Sequence, residues 1–224
     1  MIERGLSAEA EGDPEKALQY FREALVHRPE DGWLLQKAAR QLSDLATLSE
    51  DRQTRRAYLE EALALAEAAV AADPASAINE LSVAVVCGKL AAESGVGDRV
   101  ELVRRVRTHA ERALAIDPDY AWAYHVLGRW HVEVSNLGLG ARAFVALFLG
   151  GLPEASMETG LGLLQCAVEL EPGVVAHHVE LGFAYAKLNR DEEARACWQR
   201  AQALPIRDFY DQLALERIQR DADV

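Results

Sequence analysis

The sequence predicts an all-α fold, an α-α superhelix of stacked helix–turn–helix repeats with elongated helices and insertions. Three observations predict it: a complete helix pair legible over residues 175–205, a proline-anchored spacing that recurs along the chain, and a composition that is 50% apolar with only 7% aromatics. A single helix pair cannot bury its apolar stripe, so each pair implies neighbours.

The last pair is the most readable. His178, Leu181, Gly182 and Tyr185 are followed by Ala194, Trp198, Ala201 and Pro205. This order resembles the tetratricopeptide pattern, with His178 in the place of its first Trp. Gly182 and Ala194 are small where two antiparallel helices must approach, and Leu181, Tyr185 and Trp198 are large enough to fill the seam. Asn189-Arg190-Asp191 forms the turn, with Asp191 the expected N-cap.

Earlier repeats follow from counting back from each proline. Ala17/Phe21 precede Pro29, Ala62/Ala66 precede Pro74, Val106/Ala110 precede Pro118 and Gly160/Leu164 precede Pro172. Ala24, Ala69, Ala113 and Ala167 come next in each, and Ala39, Ala84, Gly128 and Gly182 recur ten residues after the prolines. The prolines lie 45, 44, 54 and 33 residues apart, against about 34 in the standard repeat. The joint between repeats is therefore constant, and the extra length belongs inside them, as longer helices or an added helix. A single repeat domain over residues 1–224 is expected, of about five helix pairs and a closing helix from about residue 208.

In chain order, residues 1–11 read as a short first helix, and Pro14 opens the second with a φ that suits a helix start. Residues 32–48 and then 49–72 read as long helices, the second dense in alanine, which favours helix and close packing. Residues 78–92 are apolar nearly all round, as in a central helix. Residues 94–98 read as a loop and 99–116 as a helix. Residues 121–131 open the fourth repeat, and Ala143–Leu149 within the insertion is apolar enough to be a buried extra helix. Gly150-Gly151-Leu152-Pro153 ends it, and Ser156 caps the next helix.

Several stretches occur in a specific order: Val86-Cys87-Gly88-Lys89-Leu90, Leu127-Gly128-Arg129-Trp130, Val134-Ser135-x-Leu137, Pro153-x-Ala155-Ser156, Ala167-x-Glu169-Leu170-x-Pro172-Gly173, and Glu193-Ala194-Arg195. Together they resemble the regulator of microtubule dynamics family from about Leu81 onward, in the manner of a soluble, bacterial-type relative. The resemblance implies a helical repeat domain without catalysis, linked to microtubules and, in membrane-anchored members, to lipid binding. Gly138-Leu139-Gly140 departs from the family, which tends to an aromatic and charges there.

The formal net charge of -12 argues against nucleic acid and other polyanions, whose binding rests on clustered Lys and Arg. By the same charge, the acidic microtubule lattice is not expected to be bound. No apolar run approaches a membrane span and the start does not resemble a signal peptide, so a cytoplasmic location is expected. Cys87, Cys166 and Cys197 fit small hydrophobes in a reducing compartment.

First helices of such repeats line a concave groove, so the candidate partner-binding residues are Trp33, Gln36 and Arg40, then Ile78, Leu81 and Val85, then Trp122, His125 and Arg129, then Val179 and Phe183. Aromatic and Arg side chains anchor peptides well, although the long insertions would serve equally to fill the groove. An alternative occupant is an acyl chain held by Leu81, Val85, Val179, Phe183 and the apolar insertion. Arg104, Arg105, Arg107 and Arg112 form a candidate basic patch, or a solvated helix face balanced by Glu101 and Glu111, which is the preferred reading. His125/His131 and His177-His178 fall in no zinc frame, and no phosphate loop or nucleophile elbow occurs, so neither a cofactor nor enzymatic activity is expected. The function expected is that of an adaptor holding a protein or peptide.

Overall fold

A computed structural model describes residues 1–222, which contain twelve helices and no strand. They group into two compact units that divide after Pro118, Met1–Pro118 and the residues from Asp119 onward. The first unit holds three helix pairs: α1 (Ile2–Ala10) with α2 (Pro14–His27), α3 (Gly32–Leu48) with α4 (Arg52–Ala72), and α5 (Ala77–Glu93) with α6 (Val96–Ile116). The second holds α7 (Ala121–Ser135) paired with α9 (Met157–Leu170), α8 (Leu139–Phe148) between them in sequence, α10 (Val175–Lys187) paired with α11 (Asp191–Gln202), and α12 (Phe209–Ala222) packed on α10.

Local chemistry sets the helix ends. Asp13, Asp31, Asp51, Ser76 and Ser156 each accept a hydrogen bond from the amide three residues on, which satisfies one orphan donor of the first turn. The residues before four of the prolines, Arg28, Asp73, Asp117 and Glu171, all leave the helical region, with φ of -139°, -141°, -129° and -129°. A following proline ring disfavours the α conformation on steric grounds, so the second helix of each pair stops at the same place.

The recurring small residues are where the helices touch. Ala17, Ala62, Ala66, Ala110, Ala113 and Ala167 are fully enclosed. A Cβ placed on Gly160 would lie 2.8 Å from the Gly128 carbonyl, and one on Gly128 would lie 2.8 Å from Leu164, so α7 and α9 cross backbone to backbone. On Gly182 it would lie 2.2 Å from Trp198 Nε1, the atom that donates to the Val179 carbonyl at 3.3 Å. The extra length of the second and third repeats is spent on helix: α4 and α6 have 21 residues each.

Three expectations need correction. α6 begins at Val96, because Gly95 takes the N-cap place and Arg99 donates from Nε to the Ala91 carbonyl and from Nη2 to the Ser94 carbonyl, both at 2.9 Å, leaving little loop. Asp191 is the first helical residue of α11, and Arg190 is the cap without a side-chain bond. The third concerns α8, which forms but is not buried: only Val145 is enclosed, while Leu139 is 86% exposed and Leu147 77%. Two glycines with positive φ, Gly150 (73°) and Gly151 (79°), end it.

Candidate functional site

In the first unit, the exposed face shared by α3 and α5 is a polar lattice with an apolar rim. Trp33 stands edge-on to Phe21, with centroids 6.1 Å apart, and Lys37 Nζ lies 5.6 Å from the Trp33 ring centroid. Glu9, delivered by α1, accepts from Lys37 Nζ at 2.7 Å and Gln41 Nε2 at 2.9 Å. Arg40 lies 3.7 Å from the same carboxylate and 3.9 Å from Asp44. Gln36 Nε2 donates to Ser82 Oγ at 3.1 Å, and Lys89 Nζ donates to the Ser43 carbonyl at 3.0 Å and Thr47 Oγ1 at 2.8 Å, which laces α3 to α5. Burial pushes the Lys89 ammonium down to about 8.

Leu81, expected on this face, is core. The face register of α5 runs Ile78, Ser82, Val85 and Lys89, so Leu81 turns inward while Ile78 and Val85 remain exposed.

In the second unit the corresponding face belongs to α7, α10 and α12. Trp122, His125 and Arg129 follow one another along α7. Val179 and Phe183 do not belong to the face: they are 2% and 7% exposed and pack with Val175, Ala201 and Ile218. The α10 residues turned toward α7 are His177 and Glu180, themselves buried at 0% and 4% exposed, and His125, expected in the groove, is enclosed with them, so Trp122 and Arg129 are the expected residues of α7 that reach the surface. His125 Nδ1 and His177 Nδ1 are 3.0 Å apart, and the Trp122 ring lies 4.6 Å from His177 and 5.2 Å from His125. His177 Nε2 is enclosed without a hydrogen-bond partner, and Glu171 lies 3.8 Å from it. Burial holds both imidazoles down to about 3, helped at His125 by Arg129 and Arg217.

One turn further along, Glu180 is 4% exposed and receives two guanidiniums. Arg217 Nη1 donates to it at 2.7 Å while stacking 4.0 Å above the Phe183 ring, and Arg129 Nε lies 3.9 Å away. Sequence reasoning missed His177, Glu180 and Arg217. Glu180 is the one carboxylate in α10, which is the signal that could have found it.

The candidate basic patch on α6 is internally balanced. Arg104 pairs with Glu101 at 3.1 Å, Arg105 with Glu67, Arg107 with Glu111 at 2.6 Å, and Arg112 lies 4.0 Å from Glu80. Arg55 and Arg56 on α4 are paired in the same way, to Glu93 and Glu60. Among the described residues no group of three or more His, Cys, Asp and Glu is placed to hold a metal ion, and no helix is long and apolar enough to cross a membrane. The residues expected to enclose an acyl chain divide: Leu81, Val179 and Phe183 are interior, whereas Phe144, Leu147 and Phe148 face outward.

Comparison with known proteins places this geometry in a family. Rat regulator of microtubule dynamics protein 3 is 32% identical over 173 residues, covering 76% of this chain and 36% of the relative. Cattle regulator of microtubule dynamics protein 2 is 25% identical over 183 residues, covering 81% of this chain and 45% of the relative. The chain thus spans about a third to under a half of their length. Among solved structures, a thermophilic tetratricopeptide protein of Thermus thermophilus superposes with a TM-score of 0.71 at 19% identity, covering 96% of this chain and 95% of that one. YrrB, described as a tetratricopeptide protein with an unusual peptide-binding site, gives 0.50 at 15% identity over 97% and 90% of the two chains. The fold is therefore the all-α tetratricopeptide superhelix. The family model for regulator of microtubule dynamics proteins 1–3 matches residues 2–222, and the chain belongs to that family.

Proposed function

We propose that the chain is a non-catalytic scaffold that holds an extended segment of a partner protein on the first-helix faces of its repeats. One observation carries this reading. Trp33 and Trp122 stand at the same place of their repeats, four residues past the proline, and Arg40 and Arg129 stand seven residues after each. In each unit the arginine is about half exposed, at 47% and 53%, beside a carboxylate from a packed helix. Accessible aromatic and Arg side chains at repeated positions are the composition of binding hot spots. The fold is one that serves as an interaction scaffold, and a structural neighbour is described by its peptide-binding site. The test is photo-crosslinking. A photoreactive residue in place of Trp33 or Trp122 is expected to trap a polypeptide, while the same residue at Arg56, on α4, is not. Equal labelling at all three positions would reject the reading.

A further inference from the structure

We propose that Arg129 and Arg217, held on either side of Glu180 on the first-helix face of the second unit, bind a carboxylate of an acidic partner peptide. The inference rests on the scaffold reading and names the chemistry of what the scaffold holds. Two guanidiniums share one buried carboxylate, so the immediate surroundings of Glu180 carry one positive charge in excess, in a chain whose formal net charge is -12, while the other carboxylate of this face, Glu171, lies by His177 at 3.8 Å from its Nε2. The excess is aimed. Arg217 is fixed by its 2.7 Å bond to Glu180 and by stacking on Phe183 at 4.0 Å, which leaves the rest of its fork of donors unspent by that bond. Arg129, at 3.9 Å from Glu180, is too far for a hydrogen bond and is 53% exposed, so its planar donors are available to an incoming anion.

The surroundings agree. Glu133, on the same helix as Arg129, is taken by Lys187 at 2.8 Å. The neutral, enclosed His125 and His177 rings add no charge to oppose or compensate the arginines, and Trp122, packed on them and partly accessible, is the aromatic surface offered to the side chain next to the carboxylate. Charge complementarity therefore selects an acidic segment over a basic one, since a Lys or Arg side chain would be repelled at the same spot.

The experiment selects peptides from a random displayed library on the full chain at physiological salt. The expected pool is enriched in Asp and Glu, and a synthetic consensus peptide loses about tenfold or more in affinity on Arg129→Gln, the size of one charge-assisted contact. Arg129→Lys should recover part of it. Glu180→Gln should act in the opposite direction and tighten the peptide, because it frees both guanidiniums. A merely structural Glu180–Arg pair would instead weaken binding in every variant. A recovered pool without acidic enrichment, or a consensus peptide indifferent to Arg129→Gln, overturns the anion site and leaves the scaffold reading standing. Failure to recover any peptide overturns both.

Discussion

At the residue scale, the His125–His177 pair stores a pH dependence. Their Nδ1 atoms are 3.0 Å apart, so one ring donates and the other accepts, an arrangement that two protonated imidazoles cannot make. Both titrate near 3 in the fold because they are enclosed, with Arg129 and Arg217 opposing a further positive charge on His125, and His125 and His178 opposing one on His177. In the unfolded chain each ring takes a proton near its ordinary value of about 6.5. The stability tied to the neutral pair is therefore complete above about pH 6.5 and is lost as pH falls from there toward 3. The slope is roughly 1.4 kcal/mol per pH unit for each ring. Urea unfolding at pH 7 and pH 5 is expected to show the loss, and His177→Leu should show a shallower one. An unchanged slope in that variant would remove the pair from the account. Reading this from sequence was blocked by geometry: His125 and His177 are 52 positions apart, and what joins them is helix packing, which local spacing does not encode.

At the element scale, the proline stops and the Ser156 cap were legible because their causes are local, whereas the Asp191 cap was misread by one residue. An Asp or Ser one residue ahead of a helix, and a proline two residues behind it, act through backbone sterics and a single hydrogen bond. Which face a helix buries is decided by its neighbours. Leu81 and Phe183 were misplaced by one helical face for that reason, since α12 turns nearly the whole of α10 into interior. α8 is the sharpest case: its sequence is as apolar as a core helix, yet Leu139, Leu147 and Phe148 point outward. Beneath it lies a cavity of about 200 Å³ lined by Val134, Arg142, Val145, Gly151, Leu152 and Glu154 among others. An exposed apolar stripe makes little contribution to folding. Replacing Leu147 and Phe148 by Gln is expected to change unfolding free energy by less than about 0.5 kcal/mol, while lowering the binding of a hydrophobic dye. A loss of several kcal/mol would mean that α8 is packed after all.

At the scale of the whole molecule, membership in the family raises the question of the microtubule itself. Its lattice is acidic, and attraction by charge at physiological salt needs a basic face effective within a Debye length of about 8 Å. The chain carries 36 acidic against 24 basic residues, so its long-range field opposes such a lattice. The densest run of cations is on α6, and there Arg104, Arg105 and Arg107 each meet a carboxylate, and Arg112 leans toward the buried Glu80. Breaking these pairs to reach an external anion exchanges one surface ion pair for another, a difference of about 0–1 kcal/mol that cannot outweigh the repulsion of the whole chain. The purified chain is therefore expected to stay in the supernatant when microtubules are sedimented at physiological ionic strength, and changing Arg104, Arg105 and Arg107 to Glu should make no difference. Salt-sensitive co-sedimentation that disappears in that triple variant would overturn the charge argument and locate the lattice contact on α6.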